Sequence, residues 1–239
     1  MKNRFILKLL MMFFVSGVSA QGLTEYFTNT DNFLKSIVID GRVNYKKIKN
    51  NPSVLKALLV AATKVSVNKN EADQYKAFWI NTYNLLVINS IVENYPLKSP
   101  LEVAGFFDKK KYAVGGENIT LNDIENKLLR GNFPSEARFH FVLVCAGLGC
   151  PPIINTAYMP STLNEQLQKQ TAIALNNDNF IQVTKNRVKV SQIFEWYTGD
   201  FEQGGTSLVE FINNYRKEKL PENSKVSYYP YDWTLNEVN

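Results

Sequence analysis

The stretch EADQYKAFWINTYNLLVINSIVENYP, residues 71–96, carries more apolar residues than one helix face can hold. These residues fall on all sides of a helical projection and are Phe78, Ile80, Leu85, Val87, Ile88 and Ile91. A surface helix shows a single apolar stripe, so a helix that is apolar nearly all round belongs in the interior. Pro96 ends it, because proline cannot continue a helix. We therefore predict a central buried helix around which the fold is built.

Two asparagines, Asn81 and Asn84, interrupt this apolar helix. A buried amide without a hydrogen-bond partner costs about 1–3 kcal/mol, so each of them needs a partner. Two interpretations stay open. The amides form a polar network that holds the helix against its neighbour, or they contact a ligand, with Asn81 also a candidate for orienting a catalytic side chain. In either case we expect both side chains close to residues 140–150.

The segments on either side of the helix predict short strands and further helices. Asp40-Gly41 indicates a turn between two helices, whereas Gly115-Gly116 and Lys185-Asn186 indicate β-hairpins. The short apolar run in ARFHFVLVC, residues 137–145, favours a buried strand. The glycine fingerprint of a nucleotide-binding fold does not accompany the strands. The sequence therefore predicts an α+β single domain in which the central helix packs on a small, mostly antiparallel sheet.

The first twenty residues are typical of a secretory signal peptide. They combine basic residues, an apolar run from Leu9 to Val15 and a cleavage site after Ala20. We therefore expect an exported protein, periplasmic or secreted, with no membrane span after the signal is removed. An N-terminal helical segment at 21–64 then precedes the main domain at 65–239. The formal net charge of +5 falls to about +2 without the signal, which argues against a nucleic-acid partner.

The segment HFVLVCAGLGCPP, residues 140–152, holds the single histidine and both cysteines of the chain. One interpretation is a catalytic site in which Cys150 is the nucleophile, His140 the base, and Glu125 or Asn81 the orienting group. Glycines before Cys150 would let backbone amides approach a substrate oxygen. In a regular strand, however, His140 and Cys145 would point to opposite faces.

A structural alternative is a disulfide between Cys145 and Cys150, with His140 a hydrogen-bonded core residue. An exported chain lies in an oxidising compartment, which favours such a bond, although a short loop gains little stability from it. A metal site is not expected, because one histidine and two cysteines lack the paired spacing of zinc ligands. We also predict no cofactor.

Further candidates for ligand binding lie on either side of this segment. Arg130 suits a carboxylate or phosphate of a ligand, although an ordinary ion pair near its helix end is the favoured interpretation. A set of aromatic residues suits a cleft for a small-molecule, sugar or peptide ligand, or alternatively packs to seal the core. The set is Trp196, Tyr197, Tyr228, Tyr229, Tyr231 and Trp233, with Trp196, Tyr197 and Trp233 as the leading candidates for ligand contact.

Five ordered blocks of the chain resemble one family, DUF547, a domain of unknown function. The blocks are FWINTYN (78–84), ITLNDIENKLLR (119–130), FHFVLVCAGLGCPP (139–152), FEWYTGDF (194–201) and YDWTLN (231–236).

The resemblance covers roughly residues 65–236 and implies an exported bacterial member. It places the family's recurrent polar positions at Asn81, Asn84, Glu125, Arg130, His140, Cys145 and Cys150. The family's Ile-Glu-His is Ile124-Glu125-Asn126 here, so no role is expected for a second histidine. Two functions stay open: a thiol-dependent hydrolase or acyl transferase on an envelope substrate, and a non-catalytic binding or scaffold domain.

Overall fold

The computed structural model describes residues 21–238, and the predicted signal peptide lies outside that range. Its centre is helix α4 (Ala72–Asn94), in which every residue from Ala77 to Val92 is buried. Tyr95 caps the helix in an extended conformation before Pro96. The prediction of a central buried helix is therefore confirmed.

Helices and a small hairpin from the N-terminal part of the chain cover one side of α4. They are α1 (21–37), β1 (Val38–Ile39), β2 (Arg42–Val43), α2 (Tyr45–Asn50) and α3 (Ser53–Lys64). The Asp40-Gly41 turn joins β1 to β2, so it closes a hairpin between the helices. The hydroxyl of Tyr26 on α1 bonds that of Thr82 on α4 at 2.8 Å. The N-terminal helices thus share one core with α4.

A β-hairpin and a widened helix lie against the other side of α4. Strands β3 (Tyr112–Val114) and β4 (Glu117–Ile119) turn at Gly115-Gly116, as predicted. A side chain at Gly115 would meet the Trp79 ring at 2.6 Å, and its φ of +60° also favours glycine. Helix α5 (Leu121–Asp123) starts with a Thr120–Asp123 capping box and continues as a π-helix (Ile124–Arg130). Such wide turns are frequent at functional sites.

The segment 137–145 is not the buried strand that its apolar run predicted. It forms a 3₁₀-helix (Ala137–Phe141) followed by irregular chain. The amide of Asn84 replaces a strand partner: its Nδ2 donates to the Val142 carbonyl and its Oδ1 accepts from the Val144 N–H, both at 2.9 Å. The alternation of faces expected for a strand therefore does not apply to His140 and Cys145.

The C-terminal part of the chain builds a second apolar cluster beside the first. It contains α6 (Leu163–Leu175), β5 (Ile181–Thr184), β6 (Arg187–Ser191), α7 (Ile193–Trp196), α8 (Thr198–Phe201), α9 (Leu208–Asn213) and β7 (Lys225–Tyr229). Shorter 3₁₀ turns lie at Pro100–Glu102, Pro160–Thr162 and Gln203–Gly205. Strands β5 and β6 form the predicted hairpin across Lys185-Asn186, and β7 joins β6 in parallel.

The α+β single-domain prediction is confirmed. The strands form three small sheets within residues 21–238, and only the β6–β7 pair there is parallel. The central helix lies among α2, α3 and the π-helix, while the three-stranded sheet belongs to the second cluster. Over the same residues, no helix combines the length and apolar character needed to cross a membrane.

Candidate active site

A cavity of about 70 Å³ lies where four segments meet. They are the π-helix, the 3₁₀-helix at Ala137–Phe141, the cysteine loop (residues 145–150) and the C-terminal tail (residues 231–236). Eight of the residues predicted from the sequence line it: Glu125, His140, Cys145, Cys150, Trp196, Tyr197, Tyr231 and Trp233. The remaining lining residues are Tyr83, Leu143 and Ile193. The histidine and both cysteines therefore share one site.

The sulfur of Cys150 accepts several hydrogen bonds. The backbone N–H of Cys145 donates to it at 2.9 Å and the hydroxyl of Tyr231 at 2.8 Å. Burial disfavours a thiolate, but these hydrogen bonds, with a further one from the Gly147 N–H, outweigh it. The pKa of the Cys150 thiol is consequently lowered below its ordinary value. A lowered pKa increases the fraction of nucleophilic thiolate at neutral pH.

Cys145 carries the proton of this pair. Its sulfur lies 2.8 Å from the Tyr231 oxygen, and both cysteines are free thiols. Because the Tyr231 hydroxyl has one proton and donates it to Cys150, the Cys145 thiol is the donor in its own contact with Tyr231. Burial and the neighbouring Cys150 sulfur raise the pKa of Cys145 well above its ordinary value. The predicted disulfide is not formed in the structure and stays a prediction for the oxidised protein.

The backbone between the two cysteines forms hydrogen bonds with the C-terminal tail. The N–H groups of Leu148 and Gly149 donate to the carbonyls of Thr234 and Asp232 at 2.8 and 2.7 Å, respectively. A side chain at Gly149 would meet the Asp232 nitrogen at 2.9 Å. Of the two glycines predicted to let amides approach a substrate oxygen, Gly149 therefore has its N–H already paired, which leaves the Gly147 N–H for that role.

His140 is held by a carboxylate that sequence reasoning missed. Its Nε2 lies 2.7 Å from Oδ2 of Asp200 on α8, and its ring stacks on that of Tyr197 with centroids 4.0 Å apart. With Nε2–H donating to Asp200, Nδ1 is the nitrogen that can take a proton. Partial burial opposes the Asp200 charge, but hydrogen bonds from His140 and Arg130 hold the pKa of this carboxyl well below its usual range. Asp200 thus orients the histidine, the role predicted for Glu125 or Asn81.

Arg130 binds the same carboxylate with both branches of its guanidinium group. Its Nε donates to Oδ2 of Asp200 at 2.6 Å and its Nη2 to Oδ1 at 2.9 Å. Its Nη1 donates to Asn126, the residue that replaces the family's histidine, and the guanidinium carbon lies 4.7 Å from the Tyr197 ring centre. These contacts favour the ion-pair interpretation of Arg130 over direct ligand binding.

Glu125 lies among tyrosines. Tyr197 donates a hydrogen bond to it, and burial together with the Glu125 charge raises the pKa of Tyr197. The same two causes raise the pKa of Tyr83 well above its ordinary value. Both phenols therefore stay protonated at neutral pH.

The predicted asparagines of α4, Asn81 and Asn84, fix backbone segments and do not line the cavity. Asn84 binds residues 142 and 144, which places the chain leading to Cys145 and confirms its predicted proximity to this segment. Asn81 donates to the Tyr158 carbonyl at 2.8 Å and accepts from the Tyr158 N–H at 3.0 Å. The polar-network interpretation therefore fits both side chains.

Aromatic rings form the outer edge of the cavity. The Trp233 ring centre lies 4.7 Å from that of Tyr231 and 6.2 Å from that of Trp196. Trp196 is 47% exposed, so this edge is open to solvent. An exposed tryptophan beside a nucleophile is a suitable contact for an apolar or planar part of a ligand.

A second, larger cavity reaches Cys150 from the other side of the loop. Its volume is about 410 Å³, and its lining is largely polar, with Asp40, Arg42, Asn177, Asn179, Asp232 and Asn236. Cys150 lines both cavities. As for metals, residues 21–238 contain no group of three or more His, Cys, Asp or Glu side chains placed to hold an ion.

Two polar residues have roles in the site that the sequence did not predict. Asp200 was not a candidate, and Tyr231 was predicted only as a member of the aromatic set. Both lie in recognised blocks, FEWYTGDF and YDWTLN, but that position alone does not assign their roles.

Comparison with known families gives one match. Residues 67–173 match the model of a family described as "Protein of unknown function, DUF547". The matched segment contains Glu125, His140 and both cysteines, whereas Tyr197, Asp200 and Tyr231 follow it. Curated proteins and solved structures gave no match.

Proposed function

We propose that this chain, which belongs to the DUF547 family of unknown function, is a thiol-dependent hydrolase or acyl transferase with Cys150 as its nucleophile. The observation that supports this most strongly is the set of hydrogen bonds to the Cys150 sulfur from Tyr231 and the Cys145 N–H. Donors aimed at a sulfur stabilise its anion, which is the attacking form. His140, oriented by Asp200, lines the same cavity.

In this proposal the Cys150 thiolate attacks the carbonyl carbon of an ester, thioester or amide. A carbon–sulfur bond forms and the bond from the carbonyl carbon to the leaving oxygen, sulfur or nitrogen breaks, with the imidazolium form of His140 protonating an alcohol or amine leaving group. The resulting thioester is then attacked by water or an acceptor amine. His140 takes the proton of that second nucleophile at Nδ1, and Asp200 stabilises the resulting imidazolium. As charge moves from sulfur to the substrate oxygen, the N–H groups of Cys145 and Gly147 are the nearest donors.

The two cavities suggest how such a substrate would lie. The smaller one, about 70 Å³ with aromatic and aliphatic walls, suits a short acyl group. The larger polar one, about 410 Å³, suits a hydrophilic leaving or accepting group. A substrate with a short acyl group on a polar carrier, such as a sugar or peptide, matches both.

The test uses p-nitrophenyl acetate and the intact mass of the protein. We expect the wild type to gain one acetyl group at Cys150 and Cys150→Ala to gain none there. Cys145→Ala is the matched control and keeps the reaction, because its thiol is not the nucleophile. His140→Asn should accumulate the acetylated form, since loss of the base slows attack by water.

Two results would count against this function. One is turnover that persists unchanged in Cys150→Ala. The other is the absence of any Cys150 adduct together with quenching of Trp196 fluorescence by a sugar or peptide, which would favour the non-catalytic binding domain. The exposed Trp196 beside Trp233 is the feature that supports that second function.

The proposal places the protein outside the cytoplasm, periplasmic or secreted, acting on an envelope substrate. Its support is the signal-like sequence of residues 1–20. N-terminal sequencing of the exported protein should begin at Gln21. A cell-associated protein that still begins at Met1 would contradict the location without affecting the chemistry.

A further inference from the structure

Both cysteine sulfurs contact the same hydroxyl group. Tyr231 is 2.8 Å from the sulfur of Cys150 and 2.8 Å from that of Cys145. The two sulfurs are therefore closer together than twice this distance. The N–H of Cys145 also lies 2.9 Å from the Cys150 sulfur, so the two side chains are adjacent, and a disulfide needs their sulfurs to close to about 2.05 Å.

The two thiols are chemically unequal. Cys150 receives the N–H and O–H donors, whereas Cys145 keeps its proton and contributes its own N–H to the partner sulfur. Both residues are partly exposed, and Cys150 also lines the polar cavity of about 410 Å³. An anionic, reachable sulfur beside a protonated one is the arrangement that thiol–disulfide exchange uses.

We infer that Cys145 and Cys150 form a dithiol pair for thiol–disulfide exchange, in which Cys150 attacks an external disulfide and Cys145 resolves the product. The substrates are small disulfides and peptide disulfides that enter the polar cavity. The inference uses the nucleophile of the proposed function but does not depend on acyl chemistry. It also gives Cys145 a chemical role, which the proposed function does not supply.

The exchange balances in two steps. The Cys150 thiolate attacks one sulfur of a disulfide R–S–S–R, a Cys150–S–S–R bond forms, and RS⁻ leaves. The released RS⁻ or the side chain of His140 then takes the proton of the Cys145 thiol. The Cys145 thiolate then attacks the Cys150 sulfur, forms the Cys145–Cys150 disulfide and releases the second RS⁻. The two protein thiols lose two electrons and the external disulfide gains them.

The short loop suits a reversible bond. The cysteines are five residues apart, and closing such a loop constrains the unfolded chain little. The loop itself is held from outside, because Leu148 and Gly149 pair with the C-terminal tail. The fold therefore does not rely on the disulfide for its stability, and the reduced form persists.

The experiment treats the reduced protein, residues 21–239, with glutathione disulfide and follows intact mass with time. We expect the wild type to lose two hydrogens, with at most a transient glutathione adduct. Cys145→Ser should stop at a stable adduct of one glutathione on Cys150. In Cys150→Ser the remaining Cys145 thiol should react with glutathione disulfide no faster than a thiol of the unfolded protein. Tyr231→Phe should slow the attack of Cys150 on glutathione disulfide.

The inference is overturned by a stable wild-type glutathione adduct without an internal disulfide, or by modification of Cys145 first. Cys145→Ala and circular dichroism control for misfolding of the serine variant. Acetylation by p-nitrophenyl acetate is measured on the same preparations. Disulfide exchange without acetylation would support this inference and refute the acyl function. Acetylation together with a stable wild-type glutathione adduct would support the acyl function and refute this inference.

Discussion

The Tyr231 hydroxyl contacts both cysteine sulfurs through one oxygen. Its hydroxyl donates to Cys150 at 2.8 Å. Tyr231→Phe removes this donor with little change in volume, so the Cys150 pKa should rise toward that of an ordinary cysteine. The measurement is the pH midpoint of iodoacetamide alkylation at Cys150.

Tyr229→Phe is the matched control for that change. The Tyr229 hydroxyl donates to the Phe180 carbonyl at 3.1 Å, away from the sulfurs, so this variant should keep the wild-type midpoint. Equal midpoints in Tyr231→Phe and wild type would show that the hydroxyl does not stabilise the thiolate.

The Asp200 carboxylate makes the stability of the folded protein depend on pH in the acid range. Its folded-state pKa lies below the unfolded value of about 3.9, so the charge stabilises the fold above that pH and the effect is lost as pH falls through the folded pKa. Asp200→Asn should lower the free energy of unfolding at pH 7. The difference in unfolding free energy between this variant and the wild type should narrow below about pH 4. Urea unfolding at each pH measures it.

Asp73→Asn provides the comparison for Asp200. Asp73 pairs with Lys76, and its side chain is 57% exposed against 19% for Asp200. Exposed pairs contribute about 0–1 kcal/mol, so this change should have little effect at any pH. A gap for Asp200→Asn that stays constant from pH 7 to pH 2 would refute the assigned pKa direction.

At the scale of elements, the contact between α4 and residues 142–144 determines where Cys145 lies. Asn84→Ala leaves the Val142 carbonyl and the Val144 N–H without their partner. We expect a loss of about 2–4 kcal/mol in unfolding free energy, the cost of two unpaired buried groups. The alkylation midpoint of Cys150 should rise as well, because the Cys145 N–H is displaced from its sulfur.

Asn89→Ala, on the same helix, separates this effect from a general weakening of α4. Asn89 bonds only the side chain of Glu93 among its described contacts, one turn along the helix. Its loss should cost about 1 kcal/mol or less and leave the cysteine chemistry unchanged. Equal effects of the two alanine variants would mean that Asn84 does not position the loop.

At the scale of the whole molecule, the segment that matches the family model is not a complete structural unit. Phe141 lies within residues 67–173, but its ring contacts Phe180, Phe194, Phe201 and Phe211, which lie beyond them. Residues 67–173 alone should therefore remain unfolded or aggregate, because this apolar surface has no cover. Circular dichroism and gel filtration of the fragment and of residues 21–239 test this. A monomeric, cooperatively folding fragment would contradict it.

The parts of the fold that follow local rules could be predicted from the sequence. The apolar pattern of α4 and the dipeptides Gly115-Gly116 and Lys185-Asn186 act within their own segments, and the structure confirms all three. The 3₁₀-helix at 137–141 could not be predicted, because a short apolar run is compatible with any buried element. The chain that follows it is held by the Asn84 amide, 58 residues away from Val142 in the sequence.

The same distinction applies to the site. The rarity of histidine and cysteine identified His140, Cys145 and Cys150, which indeed line one cavity. The partners that determine their chemistry, Asp200 and Tyr231, lie 60 and 81 residues from His140 and Cys150, respectively. Aspartate and tyrosine are common residues, so only the tertiary structure distinguishes these two from the others.

The most direct measurement is the rate of iodoacetamide alkylation at each cysteine of the reduced mature protein from pH 4 to pH 10, resolved by peptide mapping. An activated nucleophile at Cys150 requires that this residue react first, with a midpoint below that of an ordinary cysteine, while Cys145 reacts only at higher pH. Two cysteines with the same ordinary midpoint, or Cys145 reacting first, would contradict the assignment of Cys150 as the nucleophile.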